Sequence, residues 1–267
     1  MDVRGESNIQ VTGYSDTDKN DVVSGISVAS GKSLTITDNA PLNISVTGGN
    51  TAENVSGILA DNATLRIKGR LDVTAMDAKD EASALNSNNM IFSDNAFVNA
   101  KADGADKANA IVSDASNGGS GITIEGSAVV NAEGGEGKTE FYGIRTNGDV
   151  TVKGNAKLNL TGGSGPNGET TALKLNSDSG RTLKVSGNAQ MIANGAVEVS
   201  GTGSTMKMEG KASVSVLGAL NAKLTADGCD VVANGSYSEG SGAGVIIMVI
   251  AGVIGIVVKY MHLNSAA

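Results

Sequence analysis

Few residues in this chain could do covalent chemistry. His262 is the only histidine and Cys229 the only cysteine, so no Ser-His or Cys-His pair can form within the body of the sequence. One cysteine also excludes an intramolecular disulfide and a cysteine metal cluster. Carboxylates are plentiful but come in three loop-like groups: Asp16, Asp18 and Asp21; Asp77, Asp80 and Glu81; Glu133, Glu136 and Glu140. An acid/base pair needs two carboxylates held at a defined separation in a cleft, and nothing in these spacings supplies that. They read as solvated loop charge. Asp16-x-Asp18-x-Asn20-Asp21 begins like a calcium loop, but it lacks the glycine at the sixth position, and Ser27 stands where the bidentate glutamate belongs. No catalytic residue, metal or cofactor is expected. The best binding candidate is Phe141, Tyr142 and Arg145, the one stretch that sets paired rings beside a forked donor able to stack and hydrogen-bond.

The scaffold that would hold these residues is repetitive. Leu34-Thr-Ile36-Thr-Asp-Asn-Ala40-Pro-Leu42-Asn-Ile44 and Val150-Thr-Val152-Lys-Gly-Asn-Ala156-Lys-Leu158-Asn-Leu160 share apolar positions at offsets 0, 2, 6, 8 and 10. The same offsets give Met90, Phe92, Ala96, Val98 and Ala100, then Met206, Met208, Ala212, Val214 and Val216. Period-2 alternation is the strand signature, and Asp-Asn, Gly-Asn, Gly-Ser or Gly-Lys between the halves suits a tight bend. A second signal, a small residue followed by an aliphatic one, lies between these units. It runs from Gly25-Ile26 through Gly57-Ile58, Ala84-Leu85, Ala110-Ile111, Gly143-Ile144, Ala172-Leu173 and Ala196-Val197 to Ala219-Leu220, at spacings of 23 to 33 residues. Each repeat therefore reads as strand, bend, strand, variable loop, strand, one coil of a three-sided solenoid. A single coil cannot bury its inward row, whereas coils stacked ~4.8 Å apart bury a continuous column. The expected fold is all-β, a parallel β-helix of about eight coils over residues 1–232. Ile9 and Val11 open an irregular first coil, with Ser15 and Thr17 at its later inward offsets. A β-sandwich made from the same alternating strands is the competing architecture.

Composition agrees with a thin, layered core. Aromatics make up 3% of the chain, tryptophan is absent, and there are 37 glycines against two prolines. The formal charge of −8 argues against nucleic acid, whose binding rests on cations neutralising phosphates. Five Asn-x-Ser/Thr sequons, at Asn43, Asn54, Asn62, Asn159 and Asn234, are the number that chance gives in a chain so rich in these residues.

The C-terminus differs in kind. Residues 245–258 read Val-Ile-Ile-Met-Val-Ile-Ala-Gly-Val-Ile-Gly-Ile-Val-Val. Its ten β-branched aliphatics are Val245, Ile246, Ile247, Val249, Ile250, Val253, Ile254, Ile256, Val257 and Val258. At about −0.3 to −0.6 kcal/mol each they favour insertion by ~3–6 kcal/mol. The expectation is one transmembrane α-helix over residues 244–263, preceded by a flexible stalk over 233–243 and followed by a short tail, 264–267. Lys259 and Tyr260 sit where a snorkelling charge and an interfacial ring belong. A single lysine on that side places the solenoid outside the cell, with a tail-anchored protein facing the cytoplasm as the alternative. No apolar run near Met1 reads as a signal peptide.

The coils, typified by Ile122-Thr-Ile-Glu-Gly-Ser-Ala-Val-Val-Asn-Ala-Glu-Gly-Gly and by Tyr142-Gly-Ile-Arg-Thr-Asn-Gly-Asp-Val-Thr-Val152, resemble the surface β-helix repeat proteins of Gram-positive-type bacteria, an adhesin-like family described as carbohydrate-binding-domain-containing. The resemblance spans roughly residues 9–226 and the C-terminal anchor. It implies a non-enzymatic, membrane-anchored surface protein whose partners are the membrane, a glycan or another surface protein, and a second copy in a homo-oligomer. A carbohydrate-active β-helix enzyme, a lyase or glycoside hydrolase, is the alternative. It would gather charged and aromatic residues into a groove, whereas the outward row Thr35, Arg66, Ile91, Thr123, Thr151, Lys184 and Lys207 is mostly small or isolated.

Overall fold

Alternation at constant offsets becomes three stacked ladders. The computed structural model describes residues 6–13, 21–37, 41–49, 52–115, 120–164 and 170–238, with the backbone alone of 258–259. All regular elements among them are strands, and all but Val258–Lys259 stack in parallel around three sides, the arrangement of a β-solenoid. On the first side Leu34, Leu65, Met90, Ile122, Val150, Leu183, Met206 and Leu224 lie in register, one per layer. The second side is nine layers deep, from Ile9 through Ile44, Val73, Ala100, Ala132, Leu160, Ala193 and Val216 to Ala233. The third carries the small-aliphatic signal as a column: Ile26, Ile58, Leu85, Ile111, Ile144, Leu173, Val197, Leu220 and Tyr237. Asn54–Ile67 and Glu81–Phe92 run unbroken around the corner from the third side to the first, which merges those two sides into one sheet.

The core is the sum of the inward columns. Phe92, Leu65, Ile58, Leu85, Ile111, Ile144, Val150 and Leu158 are fully enclosed. Each such aliphatic or aromatic side chain contributes about 1.5–3 kcal/mol on burial. The outward row is equally regular, because Thr35, Arg66, Ile91, Thr123, Thr151, Lys184 and Lys207 stand directly above one another.

Two further columns hold the layers together. At the bend between the first and second sides, Asp94, Gly126, Gly154, Gly187, Gly210 and Gly228 all have φ between 59° and 78°. A Cβ on Gly154 would lie 3.0 Å from the Gly126 carbonyl oxygen, so this corner selects glycine both for its left-handed backbone and for its close stacking. On the second side Asn8, Asn43, Asp72, Asn99, Asn131 and Asn159 align. Asn43, Asn131 and Asn159 each donate a side-chain bond of 2.8 Å to the residue one layer below, and Asn99 donates to Asp72. Two of the five sequons, at Asn43 and Asn159, are thus rungs of a ladder.

The structure departs from the sequence reading at both ends. Ile9 and Val11 pair with Ile44 and Val46, so Ser7–Thr12 is a second-side strand and not the opening strand of a coil. Backbone pairing fixes this register, which sequence offsets could not, since Ile9-Gln-Val11 fits either strand. The stack also continues past residue 232. Asp230–Ala233 pairs with Ser213–Val216, and Tyr237–Ser238 with Leu220–Asn221, taking up the first part of the expected stalk. Of the expected membrane helix, Val245, Ile246, Ile247, Val249, Ile250, Val253, Ile254, Ile256 and Val257 lie outside the described residues. No helix among the described residues is long and apolar enough to cross a membrane. At Val258 the backbone is extended: Val258–Lys259 pairs antiparallel with Asp230–Val231, filling the open edge of the last coil, which suits β-branched residues.

Leu158→Asp puts an uncompensated charge into the closed column and is expected to cost roughly 3–5 kcal/mol. Thr151→Asp, on the outward row, is expected to stay within about 0.5 kcal/mol of wild type. Urea denaturation of the two variants checks the inward assignment, and equal losses would contradict it.

Candidate functional site

The third side is bent. Gly57, Ala84, Ala110 and Ala172 point inward, as do the aliphatic residues that follow them. Ala84, Ala110 and Ala172 lie in the core cluster, and a Cβ on Gly57 would meet the core side chain of Val73. Two successive inward residues fold the strand into an L, and the residues just before the bend then point into its outer angle. Ser56, Ser83 and Asn109 occupy that position in successive layers and are buried although they lie outside the core. The Ser56 and Ser83 hydroxyls are 3.1 Å apart. One layer above, Tyr142 donates its backbone N–H to Asn109 Oδ1 at 3.1 Å, and its carbonyl accepts from Ala110 at 3.0 Å.

Beside Tyr142 opens a cleft of about 590 Å³ whose lining includes Lys107, Asp114, Glu140, Tyr142, Arg145, Asn147 and Lys174. Its flanks are columns in register. Glu81, Lys107 and Glu140 form one flank, three residues before the small-aliphatic pair of their layers. Val112, Arg145, Lys174 and Glu198 form the other, two residues after the start of that pair. Salt bridges tie the cations down: Arg145 Nε to Glu140 Oε2 at 2.9 Å, Lys174 to Glu198 at 3.0 Å, and Lys107 to Asp80 at 3.2 Å. Glu140 Oε2 also accepts from Asn109 Nδ2 at 3.0 Å. The Lys174 ammonium stands 5.6 Å from the centre of the Tyr142 ring.

The electrostatics are uneven. Burial pushes the Glu81 carboxyl above the ordinary glutamate range, with Arg145 pulling the other way, Glu140 and Asp80 adding to the rise, and Lys107 opposing it. Its Oε1 atom is enclosed and has no hydrogen-bond partner. Burial likewise raises the Tyr142 phenol, against the attraction of Lys174. For Lys174 burial acts downward, but the bond to Glu198 and the pull of Tyr142 outweigh it and the ammonium ends raised. Lys107 is raised by its bond to Asp80.

The predicted trio is therefore only partly a surface feature. Arg145 and Tyr142 line the cleft, while Phe141 does not. Both rings are 8% exposed, packed 5.9 Å apart into the angle of the bend, and so cannot form an open stacking platform. Among the described residues the exposed ring lies elsewhere: Phe97 on the second side is 36% exposed, with Arg70 5.4 Å from its centre. Glu81 and Glu140, read from sequence as solvated loop charge, are held in or beside the cleft, whereas Glu133 does pair at the surface with Lys101. Lys107, Asn147 and Lys174 were missed. The signal that finds Lys107 and Lys174 is their fixed distance from the small-aliphatic pair, three before it or two after its start, whereas Asn147, four after Gly143, carries no such mark. Asp16 and Asp18 lie outside the described residues, among which no group of three or more His, Cys, Asp or Glu could hold a metal ion.

Fold and cleft together define a parallel β-solenoid with a charged groove along one bent side. No family model matches the chain, and no curated protein or solved structure matches it.

Glu81→Gln replaces a desolvated carboxylate with a neutral isostere. The fold favours the protonated acid, so relative to the variant the wild type gains stability as pH falls through the raised Glu81 value and levels off below its unfolded value. At pH 7 the variant is expected to melt higher by about 2–4 °C, corresponding to roughly 1 kcal/mol for a chain of this size, and the gap should close toward pH 4. Thermal melts across that range check it, and a lower variant Tm at pH 7 would show that the pull of Arg145 outweighs burial.

Proposed function

We propose that this is a non-enzymatic, membrane-anchored surface protein whose rigid solenoid presents the cleft at Tyr142 and Arg145 to a glycan. The observation that carries this reading is the cleft itself. Arg145, Lys107, Glu140 and Asn147 supply planar and charged hydrogen-bonding groups around the edge of a tyrosine, within a groove of the size that small ligands occupy. A stacked scaffold fixes these groups while leaving their identity free to vary, because the inward columns carry the stability. The apolar run over residues 245–257 supports anchoring of the chain in a membrane.

A glycan array probed with the chain truncated after Ser241 tests the binding half of this reading. Arg145→Ala is expected to weaken any glycan bound by at least about tenfold, the loss of one charge-assisted hydrogen bond, without lowering Tm by more than a few degrees. An array with no hits, or hits insensitive to Arg145→Ala, would remove the cleft from the proposal. The alternative of a carbohydrate-active enzyme draws support from two carboxyls of unlike environment, Glu81 and Glu140, at one site. Reproducible sugar turnover by the wild type, abolished by Glu140→Gln, would decide for it.

Anchoring has its own test. The chain ending at Ser241 keeps every described strand but Val258–Lys259 and is expected to be soluble and folded, while the full chain co-floats with lipid vesicles. Unfolding or aggregation of the truncated chain would show instead that the apolar run belongs to the core.

A further inference from the structure

We infer that the cleft takes a sugar bearing a carboxylate, gripped by Arg145, and that Glu81 controls how firmly Arg145 can grip it. This rests on the glycan reading above and narrows it. Lys107, Arg145 and Lys174 come from three strands, Ala105–Ser113, Ile144–Thr146 and Thr171–Asn176, and meet in one cleft whose lining, among the described residues, carries only Asp114 and Glu140 as acids. Arg145 and Lys174 stand directly opposite each other in register, an arrangement of like charges that is unfavourable unless anions lie between or beside them. Within the chain, Glu140 and Glu198 provide that neutralisation. A ligand carboxylate would supply it from the cleft side.

Of the three cations, Arg145 is the one shaped for the task. Lys107 and Lys174 are point charges already directed to Asp80 and Glu198, whereas a guanidinium offers a planar fork that matches a carboxylate in two parallel bonds. Glu140 engages the Nε of that fork. Asn147 is held in place by the Ala115 N–H on its Oδ1 and by its own bond to Asp114, and the exposed Asn176 beside it is placed to offer a donor and an acceptor to the sugar hydroxyls.

Glu81 is the competitor. Its enclosed Oε1 has no hydrogen-bond partner, and the charges that act on it are Arg145, Glu140, Lys107 and Asp80. Ionised, Glu81 draws on Arg145 and adds negative charge beside the place a ligand carboxylate must enter. Protonated, it does neither. Burial makes that protonation occur above the ordinary carboxylate range, where the carboxylate of a uronic acid is still ionised. Mild acid therefore discharges the competitor before it discharges the ligand.

Calorimetric titration of the full chain in detergent with a galacturonic acid trimer, and with its neutral methyl ester, at pH 7 and pH 5 tests both parts. The wild type is expected to bind the acid at least about tenfold tighter than the ester, and several-fold tighter at pH 5 than at pH 7. Glu81→Gln should bind the acid at pH 7 as the wild type does at pH 5, with little further change on acidification. Equal binding of acid and ester overturns the carboxylate grip while leaving the glycan reading in place. Binding of neither trimer, together with a blank glycan array, overturns both. A wild-type affinity that is flat in pH, or a Glu81→Gln variant that keeps the wild-type pH response, overturns the role of Glu81.

Discussion

In-register parallel pairing is the constraint on which the rest of this structure depends. Because every layer repeats the one below it about 4.8 Å away, each side chain meets its own positional counterpart, above and below, rather than a partner drawn from elsewhere in the chain. Aliphatic residues tolerate this well, since like stacks on like at van der Waals distance, and the three inward columns fuse into one core. Asparagine tolerates it too, because it is both donor and acceptor, and the second-side ladder satisfies each amide with the next. Asp72 interrupts that ladder as an acceptor only, and Arg70, at 2.8 Å, balances its charge.

Charged residues do not share this tolerance, and the cleft is where the rule is strained. Stacking an ionisable residue on its counterpart repeats the same sign every layer unless the sequence alternates. On one flank it does alternate, as Glu81, Lys107 and Glu140. On the other, Arg145 and Lys174 share a sign, and the relief comes from across the bend and from the layer above. The L-shaped strand makes this possible by folding the two flanks toward each other. The same geometry desolvates Glu81, so strength in the charge network and a poorly satisfied carboxylate arise from one cause.

How much of this was legible without the fold follows from the range of each interaction. Offsets within a coil, such as Val150, Val152, Ala156, Leu158 and Leu160, are local, and period-2 alternation made them readable as inward strand positions; all five are buried. The Gly-Ile and Ala-Leu pairs likewise marked the third side, where the connection from the second side is Gly195 alone between Gln190–Asn194 and Ala196–Ser200. Contacts between coils were less legible, because variable loops place stacked partners anywhere from 17 residues apart, as Val216 and Ala233, to 35, as Ile9 and Ile44. Lys107 and Glu140, or Tyr142 and Lys174, come together only once register is fixed.

The sequence by itself determined the class of fold, since hydrophobic alternation and repetition are properties of a chain and stacking is the only way such coils bury their rows. It also marked Tyr142 and Arg145 as the residues to watch. Tertiary structure alone decided that Phe141 and Tyr142 are packed rather than displayed, because two inward residues in succession bend the strand and close an angle over the rings. It decided that Ser7–Thr12 belongs to the second side and that the stack runs on to Ser238, because backbone pairing sets register and Ile9-Gln-Val11 fits two registers equally. Above all it decided that loop carboxylates become a charged groove, since burial and electrostatic fields depend on what lies across a gap of a few ångströms, and the order of residues along a chain does not record that distance.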